Sequence, residues 1–360
     1  MTTLTRPAAA IHGSRRKPLR LGFNARISFE STPGGAERGL RDGIRLFQAA
    51  EALGYQSGWC YQRHFDNYLS APMPFFAAVA QHTARIDIGS AVIGMRYEDP
   101  VLLAEGAGTA DLLAGGRLQL AVSTGQGNFD AVFGRSVSDG RREARARLTR
   151  FLQGVAGEPV HVVDDPQMGA PLGTELRVTP HSPGLRERIW YGSGHIASAV
   201  EAAQDRLRLM TGTILHDVTD ETFSAYQARL IAAYRSAWTA SDEPPPVAVA
   251  ASVLPAPTKE LAHKYAAYDL ERRTHGPAAS RPRGALPPSP DRLPPTLLVS
   301  PVLHGTPDQV VEAVLSDPGL TAADELVLFL PPAFGLAENT RLLEDVAHHV
   351  APDLGWTPGT

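Results

Sequence analysis

The chain has 360 residues, 43% of them hydrophobic, which suffices for one large α/β barrel or for two smaller domains. Its formal net charge of -4 argues against a nucleic-acid-binding surface, and no apolar run approaches the ~18 residues of a membrane span. Cys60 is the only cysteine, which excludes an internal disulfide and a cysteine-based zinc site and makes a reducing cytoplasm the simplest inferred location.

The N-terminal half alternates short apolar strands with helices. Residues 1–18 are basic and predict a disordered tail, and Leu19 to Ala25 suits a buried first strand. A helix follows from Gly34-Gly35, with apolar residues spaced by three and four on one face: Leu40, Ile44, Phe47, Ala50 and Leu53. The same reading predicts strands over 57–61, 86–93 and 118–124, and helices over 75–83, 101–113 and 143–155.

The alternation continues to the C-terminus. Residues 160–163 and 176–178 predict an inserted hairpin. Further strands are predicted over 189–192, 207–211, 247–253 and 326–330, with helices over 196–203 and 223–238. Eight strands in one series with helices imply a parallel sheet, and they favour an α/β fold of a single closed (β/α)8 TIM-type barrel over 19–355.

Residues 272–295 interrupt this pattern. They hold many Pro, Arg and Ser residues and have no hydrophobic period. Long segments of this kind in a compact domain are usually lids or disordered. Because the segment follows the seventh strand and its helix, we expect a mobile lid near the barrel mouth, with a plain flexible insertion as the alternative.

Several ordered segments together resemble the bacterial luciferase-like flavin-dependent monooxygenases. Gln62-Arg63-His64-Phe65 stands where that family has Glu-His-His-Phe after its second strand, and residues 88–101 align to a luciferase segment without a gap. Gly116-Arg117 and Gly305-Thr306-Pro307-Asp308 match later pieces in the same order. The resemblance implies a (β/α)8 barrel, reduced FMN as cofactor and dioxygen as co-substrate.

A phosphate site is predicted where Gly192-Ser193-Gly194-His195 precedes a helix. The free N–H groups and the positive dipole end of a helix N-terminus can hold a phosphate. Ser198 in the first turn adds a hydroxyl, and His195 adds charge when protonated. By resemblance, Gly194, His195 and Ser198 contact the flavin phosphate, whereas Ser193 alternatively serves only as a helix cap.

Two further segments contact the cofactor by resemblance. The family places a non-proline cis peptide beneath the flavin ring, and the matching bond is Ala91–Val92, for which an ordinary buried strand is the alternative. Ser123 and Thr124 stand where luciferase has a reactive cysteine and a phosphate-binding arginine. Thr124 cannot supply that charge, so the phosphate would rely on His195 or on Arg63.

The candidate catalytic residues are Arg63 and His64. Arg63 replaces the first histidine of the family pair, the group proposed to be catalytic in luciferase. An arginine cannot act as a general base at ordinary pH, although it can stabilise an anion or clamp an anionic substrate. His64 is a candidate acid or base, with a structural histidine as the alternative. Asn24 and Met95 are candidate substrate contacts, and no spacing of His, Cys, Asp or Glu indicates a metal site.

These features favour a monooxygenase that oxygenates a small organic substrate by hydroxylation or by insertion beside a carbonyl. A separate reductase would supply the reduced FMN, since no Gly-x-Gly-x-x-Gly fingerprint for a nicotinamide follows a strand. A deazaflavin-dependent hydride-transfer enzyme on the same barrel and a non-catalytic luciferase-like partner subunit remain open. The resemblance also implies a homodimer through the helices after strands two and three.

Overall fold

The structure is a computed structural model that describes residues 18–125, 129–135, 140–216, 221–239, 243–275 and 298–359, without the side chains of 272–275. The predicted N-terminal tail lies outside these residues except for its last residue. The predicted lid lies outside them except for 272–275, which end a helix. Both therefore remain predictions.

Eight parallel strands close into the predicted barrel. They are β1 (Arg20–Ala25), β2 (Ser57–Cys60), β3 (Asp87–Gly94), β4 (Leu118–Ser123), β5 (Ile189–Ser193), β6 (Arg208–Thr211), β7 (Val247–Pro255) and β8 (Glu325–Phe329). Consecutive strands are hydrogen-bonded neighbours, and β8 pairs with β1 to close the ring, with Leu21 opposite Leu326. The closed (β/α)8 fold predicted from the strand series is confirmed.

Ten α-helices are found in the described ranges. They are α1 (Gly35–Ala52), α2 (Pro72–Ala80), α3 (Pro100–Leu113), α4 (Gly140–Val155), α5 (Ile196–Gln204), α6 (Phe223–Ala237), α7 (Lys259–His275), α8 (Pro307–Ser316), α9 (Pro318–Thr321) and α10 (Leu336–His349). The predicted apolar face of α1 packs on the barrel, with Phe47 and Ala50 fully buried. None of the described helices is both long enough and apolar enough to cross a bilayer.

Two helices begin three residues before their predicted starts: α4, at Gly140 instead of Glu143, and α2. α2 begins at Pro72, three residues before the predicted start at Phe75. A proline is accommodated in the first helical turn because the N–H that it lacks has no partner within the helix there. The two prolines of Pro72-Met73-Pro74 therefore belong to the helix rather than to the loop before it.

Short strands lie outside the ring of eight barrel strands. The predicted hairpin is present as an antiparallel pair, His161–Val162 with Glu175–Leu176. A second antiparallel pair, Ile214–Leu215 with Leu298–Val299, was not predicted, nor was the strand Val302–Gly305, which pairs with the end of β7. The pair formed by Ile214–Leu215 matters for the site because it fixes the chain that follows β6.

The barrel interior has an apolar layer above a polar one. The apolar layer consists of Trp59, Ala91, Ala121, Trp190, Met210, Ala248, Ala250 and Val327. Beneath it, near the N-terminal ends of the strands, the buried Glu325 accepts hydrogen bonds from Trp59 Nε1 at 3.2 Å and Arg20 Nε at 3.3 Å. Arg20 also pairs with Asp87 at 2.6 Å. Arg20 thus joins two carboxylates at this end of the barrel.

Candidate functional site at the barrel mouth

The predicted site residues follow five barrel strands at one end. They are Asn24 in β1, Arg63 and His64 after β2, Ala91, Val92 and Met95 in and after β3, Ser123 and Thr124 at the end of β4, and Ser193, Gly194, His195 and Ser198 at the β5–α5 turn. Because the strands are parallel and closed into a ring, their C-terminal ends form a single rim, here called the mouth, where barrel enzymes place their active sites.

Small residues line the floor of the mouth between β3 and β5. The Ala91–Val92 peptide is cis, as the resemblance implies. Ala91 belongs to the apolar interior layer, and Val92 packs against that layer. A Cβ atom on Gly192 would lie 2.5 Å from Val92 Cγ1, so the absence of a side chain there lets the two strands keep this arrangement.

The turn from β5 into α5 is shaped by two serine hydroxyls. Ser193 Oγ and Ser198 Oγ lie 2.7 Å apart, and both donate to the His195 carbonyl oxygen, at 2.8 and 3.0 Å. The N-cap residue of α5 is His195, and its side chain makes no capping hydrogen bond. Ser193 therefore shapes the turn and does not cap the helix.

A buried tyrosine completes the start of α5. The hydroxyl of Tyr226, in α6, accepts a hydrogen bond from the Ile196 N–H at 3.2 Å. The next residue, Ala197, is exposed. The turn thus combines a helix N-terminus with an adjacent imidazole, a combination suited to an anion.

His216, which sequence reasoning missed, lies beside this turn. Its ring stacks on that of His195, with centroids 5.1 Å apart and planes at 27°. Its backbone N–H donates to the Gly194 carbonyl at 3.0 Å. His216 follows the unpredicted strand Ile214–Leu215, and only the fold brings it to α5, so no local sequence signal could have found it.

Arg63 is paired within the loop after β2. Its Nε lies 3.1 Å from Asp66 Oδ2, and the Asp66 side chain is only 5% exposed. A second contact joins Arg63 Nη1 to the Tyr61 hydroxyl at 3.5 Å. The positive charge at the position of the family's first histidine is therefore balanced locally.

His64 is held by polar and aromatic partners from its own loop and from other loops. Its Nε2 lies 3.7 Å from Glu98 Oε1 and 3.3 Å from Gln62 Nε2. Its ring lies 4.9 Å from that of Phe133, which in turn stacks on Tyr97 at 4.8 Å. With its side chain 22% exposed, His64 is oriented yet still accessible.

The segment 129–135, after β4, is attached to the loop after the neighbouring strand β3. Arg96 makes two contacts of 2.5 Å with Asp130, and the Phe129 N–H donates to the Tyr97 hydroxyl at 2.8 Å. Hydrogen bonding to Arg96 holds the pKa of the Asp130 carboxyl below its ordinary value. This ion pair fixes the segment that carries Phe133, and with it one side of the His64 surroundings.

The two predicted substrate contacts have different surroundings. Asn24 is 7% exposed, and its buried Oδ1 has no hydrogen-bond partner among the described residues. Met95 has no exposed surface and lies among the core side chains, so its side chain does not line the surface of the mouth.

Arg26, in the loop after β1, is a further cation at the mouth. Its guanidinium carbon lies 4.8 Å from the ring centre of Tyr61, 5.2 Å from that of Tyr68 and 5.7 Å from that of Phe329. Aromatic faces hold a guanidinium in place through cation–π attraction. In the ring of eight strands, β1 lies opposite β5, the strand that leads into α5. The mouth therefore has cationic and aromatic groups on the side opposite α5.

Comparison with characterised sequences gives one family. A family model described as luciferase-like monooxygenase matches residues 19–321. The chain is 30% identical over 202 residues to the 4-hydroxyprotoasukamycin monooxygenase of Streptomyces nodosus subsp. asukaensis, over 50% of this chain and 53% of that protein. It is 32% identical over 122 residues to an F420-dependent glucose-6-phosphate dehydrogenase of Amycolatopsis mediterranei (strain U-32), over 32% of this chain and 36% of that protein. The chain thus matches about half, or less, of the length of these relatives.

Solved structures share the fold over nearly the whole chain. The monooxygenase RslO1 from Streptomyces bottropensis superposes with a TM-score of 0.73 at 19% identity, over 93% of this chain and 100% of that one. The oxygenating constituent of 3,6-diketocamphane monooxygenase from Pseudomonas putida, in complex with FMN, superposes with a TM-score of 0.66 at 16% identity, over 93% and 98%. At these identities the likeness establishes the barrel.

Proposed function

The chain belongs to the luciferase-like monooxygenase family, and on that premise we propose that it is the oxygenase of a two-component system that takes reduced FMN from a separate reductase. Its substrate in this proposal is a small organic molecule. The observation that carries the proposal is the mouth itself, where the α5 N-terminus beside His195 and an oriented His64 lie above an apolar interior.

The residues of the mouth fit a flavin in three respects. The floor of the mouth between β3 and β5 is formed by the small residues Ala91, Val92 and Gly192. The α5 N-terminus offers donors to a phosphate. Asn24 Oδ1 is a buried acceptor with no partner among the residues that the structure describes, and a ring N–H of a ligand would satisfy it. When bound, reduced FMN supplies the electrons that activate dioxygen.

The side chains around that position have separable roles in the proposal. His64 exchanges a proton with the reacting substrate, and its contacts to Glu98 and Phe133 fix its ring. Arg26, framed by aromatic rings, orients an aromatic or anionic substrate. Arg63 does not act as a base, and its pairing with Asp66 makes it an organiser of the loop.

The direct test uses photoreduced FMN. The flavin is mixed with the chain without oxygen, air is then admitted, and the return of oxidised FMN is followed by absorbance. We expect the chain to bind reduced FMN and to change the rate of its reoxidation relative to FMN alone. Absence of both binding and any change in that rate would overturn the proposal.

The deazaflavin-dependent alternative is favoured by one observation, the similarity to an F420-dependent dehydrogenase. Such a chain would transfer a hydride and would not consume dioxygen. Parallel titrations with reduced FMN and reduced F420 separate the two, because the alternative requires the tighter binding to be that of F420.

A homodimer through α2 and α3 is also part of the proposal. α3 presents large apolar side chains to solvent at Leu102, Leu112 and Leu113, which are 68%, 49% and 53% exposed. Contiguous exposed apolar surface is a common sign of an association site. Light scattering of the purified chain gives its mass in solution and tests this directly.

A further inference from the structure

We propose that a cluster of aromatic side chains at the mouth binds a planar ring of the substrate, so that the small organic molecule of the proposed function is an aromatic compound. This inference rests on the proposed function and narrows its substrate to one chemical class. The cluster, here called the aromatic wall, consists of five rings from the loops after β2, β3 and β4: His64, Phe65, Tyr97, Phe129 and Phe133.

The rings of the aromatic wall form one connected surface. The ring centre of Phe133 lies 4.8 Å from that of Tyr97, with planes at 19°, and 4.9 Å from that of His64, with planes at 62°. The ring centre of Phe65 lies 5.1 Å from that of Phe129 and 5.6 Å from that of Phe133. Stacked and edge-to-face rings in such an arrangement present their faces and edges at defined positions.

Phe65 presents its ring to solvent on an unfavourable backbone. Its φ is 55°, in the left-handed region that a bulky residue rarely adopts, and the residue is 64% exposed. Neither burial of the ring nor the backbone conformation accounts for a phenylalanine at this position. Backbone strain of this kind clusters at ligand-binding and catalytic sites, so we assign the exposed ring of Phe65 a contact with the ligand.

The aromatic wall is held in place by polar contacts behind its rings in the chain. Arg96 Nε contacts Asp130 Oδ1 at 2.5 Å, and the Phe129 N–H donates to the Tyr97 hydroxyl at 2.8 Å. These contacts tie the loop after β3 to the segment after β4, and each of the two carries rings of the wall. A surface that is ordered in advance loses less conformational entropy when a ligand binds.

The position of His64 identifies what covers the aromatic wall. His64 is the proposed proton-exchanging group and one of the five rings, and its side chain is 22% exposed. A molecule that reacts at His64 therefore meets the neighbouring rings. A specific protein interface uses about 20–30 residues on each side, so five rings in the described part of the chain fit a small molecule better than a second protein. An aromatic ring gains edge-to-face and stacking interactions there that a saturated ring lacks.

The test compares two ketones that differ in the planarity of their ring, phenylacetone and cyclohexylacetone. Each is titrated with the full chain, and its affinity is measured from the broadening of its proton NMR signals. We expect phenylacetone to bind about threefold to tenfold more tightly, which is the amount that aromatic pairs add beyond the burial of area. Burial of apolar area alone would favour cyclohexylacetone, because its saturated ring is the more apolar of the two.

Variants of one residue locate this preference in the aromatic wall. Phe65→Leu keeps an apolar side chain and removes the ring, so the preference for phenylacetone should disappear. Phe65→Tyr keeps a ring and should retain the preference. The matched control is Val132→Ala, because Val132 lies in the segment that carries Phe129 and Phe133 and is 65% exposed against 64% for Phe65. It shortens an equally exposed apolar side chain without a ring and should also retain the preference.

Equal affinity of the unaltered chain for the two ketones, or tighter binding of cyclohexylacetone, overturns the inference. A preference for phenylacetone that survives in Phe65→Leu overturns it as well. Titration of the unaltered chain with photoreduced FMN, without oxygen, separates these results from the proposal beneath them. If FMN binds and the ketones are not distinguished, the proposed function stands and the aromatic substrate class fails. If FMN does not bind, the proposed function fails and this inference fails with it.

Discussion

Arg63 Nε lies 3.1 Å from Asp66 Oδ2, and this pair replaces a histidine of the luciferase family with a locally neutralised arginine. Removing the guanidinium would leave a carboxylate that is 5% exposed without its partner. We expect Arg63→Ala to lower the free energy of unfolding by about 1–3 kcal/mol, measured by urea denaturation.

Two comparisons test the cause of that loss. The double variant Arg63→Ala/Asp66→Asn should recover part of it, because no unpaired charge remains buried. Arg38→Ala removes a pair in which both side chains are exposed, Arg38 with Glu30, and should cost about 0–1 kcal/mol. An equal cost for Arg63→Ala and Arg38→Ala would contradict the structural role of Asp66.

His64→Ala tests the proposed proton exchange. Turnover of an accepted substrate should fall by about 10²-fold or more, the usual contribution of a general acid or base, while the affinity for reduced FMN stays unchanged. The matched variant His161→Ala, at a histidine of the inserted hairpin that pairs with Asp164, should keep full turnover. If both variants turn over alike, His64 is a structural histidine.

Glu51 gives a prediction on the pH dependence of stability. Its carboxylate accepts the backbone N–H groups of Ala84, Arg85 and Ile86, with shortest distances of 2.9, 2.7 and 2.9 Å. Burial alone would raise the pKa of Glu51, but these donors outweigh it, and the pKa in the folded chain is lowered. The resulting stabilisation is present above the unfolded pKa of about 4.3 and is lost as the pH falls through the folded value.

The substitution Glu51→Gln should therefore lower the stability of the chain at neutral pH and leave it unchanged in acid. We expect the free energy of unfolding to fall by about 1–2 kcal/mol at pH 7, and this loss to disappear below the folded pKa. Thermal denaturation over a pH series measures the difference. Glu37→Gln, at an exposed residue paired with Arg41, should show almost no difference at any pH. A loss for Glu51→Gln that persists in acid would contradict the assigned cause.

Gly192→Ala tests the floor of the mouth. The new Cβ would approach Val92 Cγ1 to 2.5 Å, and a β-branched valine has little freedom to move aside. We expect the affinity for reduced FMN to fall by about tenfold or more, because the displaced Val92 side chain would change the floor against which the flavin is proposed to lie. Gly212→Ala, just after β6, meets no atom within 4 Å and serves as the control. Equal flavin affinity in the two variants would remove Val92 from the binding site.

Leu112→Glu tests the proposed dimer. A charge on the exposed face of α3 should convert a dimer to a monomer in light scattering, because an unpaired charge is costly in an apolar interface. Leu315→Glu changes a similarly exposed leucine of α8, 44% against 49%, and should leave the mass unchanged. A monomeric unaltered chain would end the dimer proposal at once.

The barrel could be predicted from sequence because its elements carry local signals. The three- and four-residue spacing that includes Phe47 and Ala50 indicates the face of α1, and Gly54, with a φ of 88°, follows its end. The run that includes Phe75 lacks such a period, so the start of α2 was placed three residues late. The strand Ile214–Leu215 has only two residues, too few for a periodic signal of its own.

The candidate site was predictable in position but not in its pairings. Residues at strand ends share one rim in any parallel barrel, which is why His64 and His195 could be placed together from sequence. Their partners Glu98, Phe133 and His216 come from other loops, and the choice among many polar loop residues depends on tertiary packing. Asp66 is close to Arg63 in sequence, but its burial is a property of the folded loop. The expected effect of the ion pair on stability depends on that burial.

The positions of the two tryptophans in the interior layer have a consequence for the fluorescence of the chain. Trp59 and Trp190 meet edge to face at 5.4 Å directly beneath the mouth, with their N–H groups anchored to Ser57 and Gln119. The other two tryptophans lie elsewhere, Trp238 after α6 and Trp356 beside the start of β1 at the opposite end of the barrel. Two of the four tryptophans thus lie below the proposed flavin position, so binding of a flavin there should quench part of the tryptophan fluorescence by energy transfer to its ring.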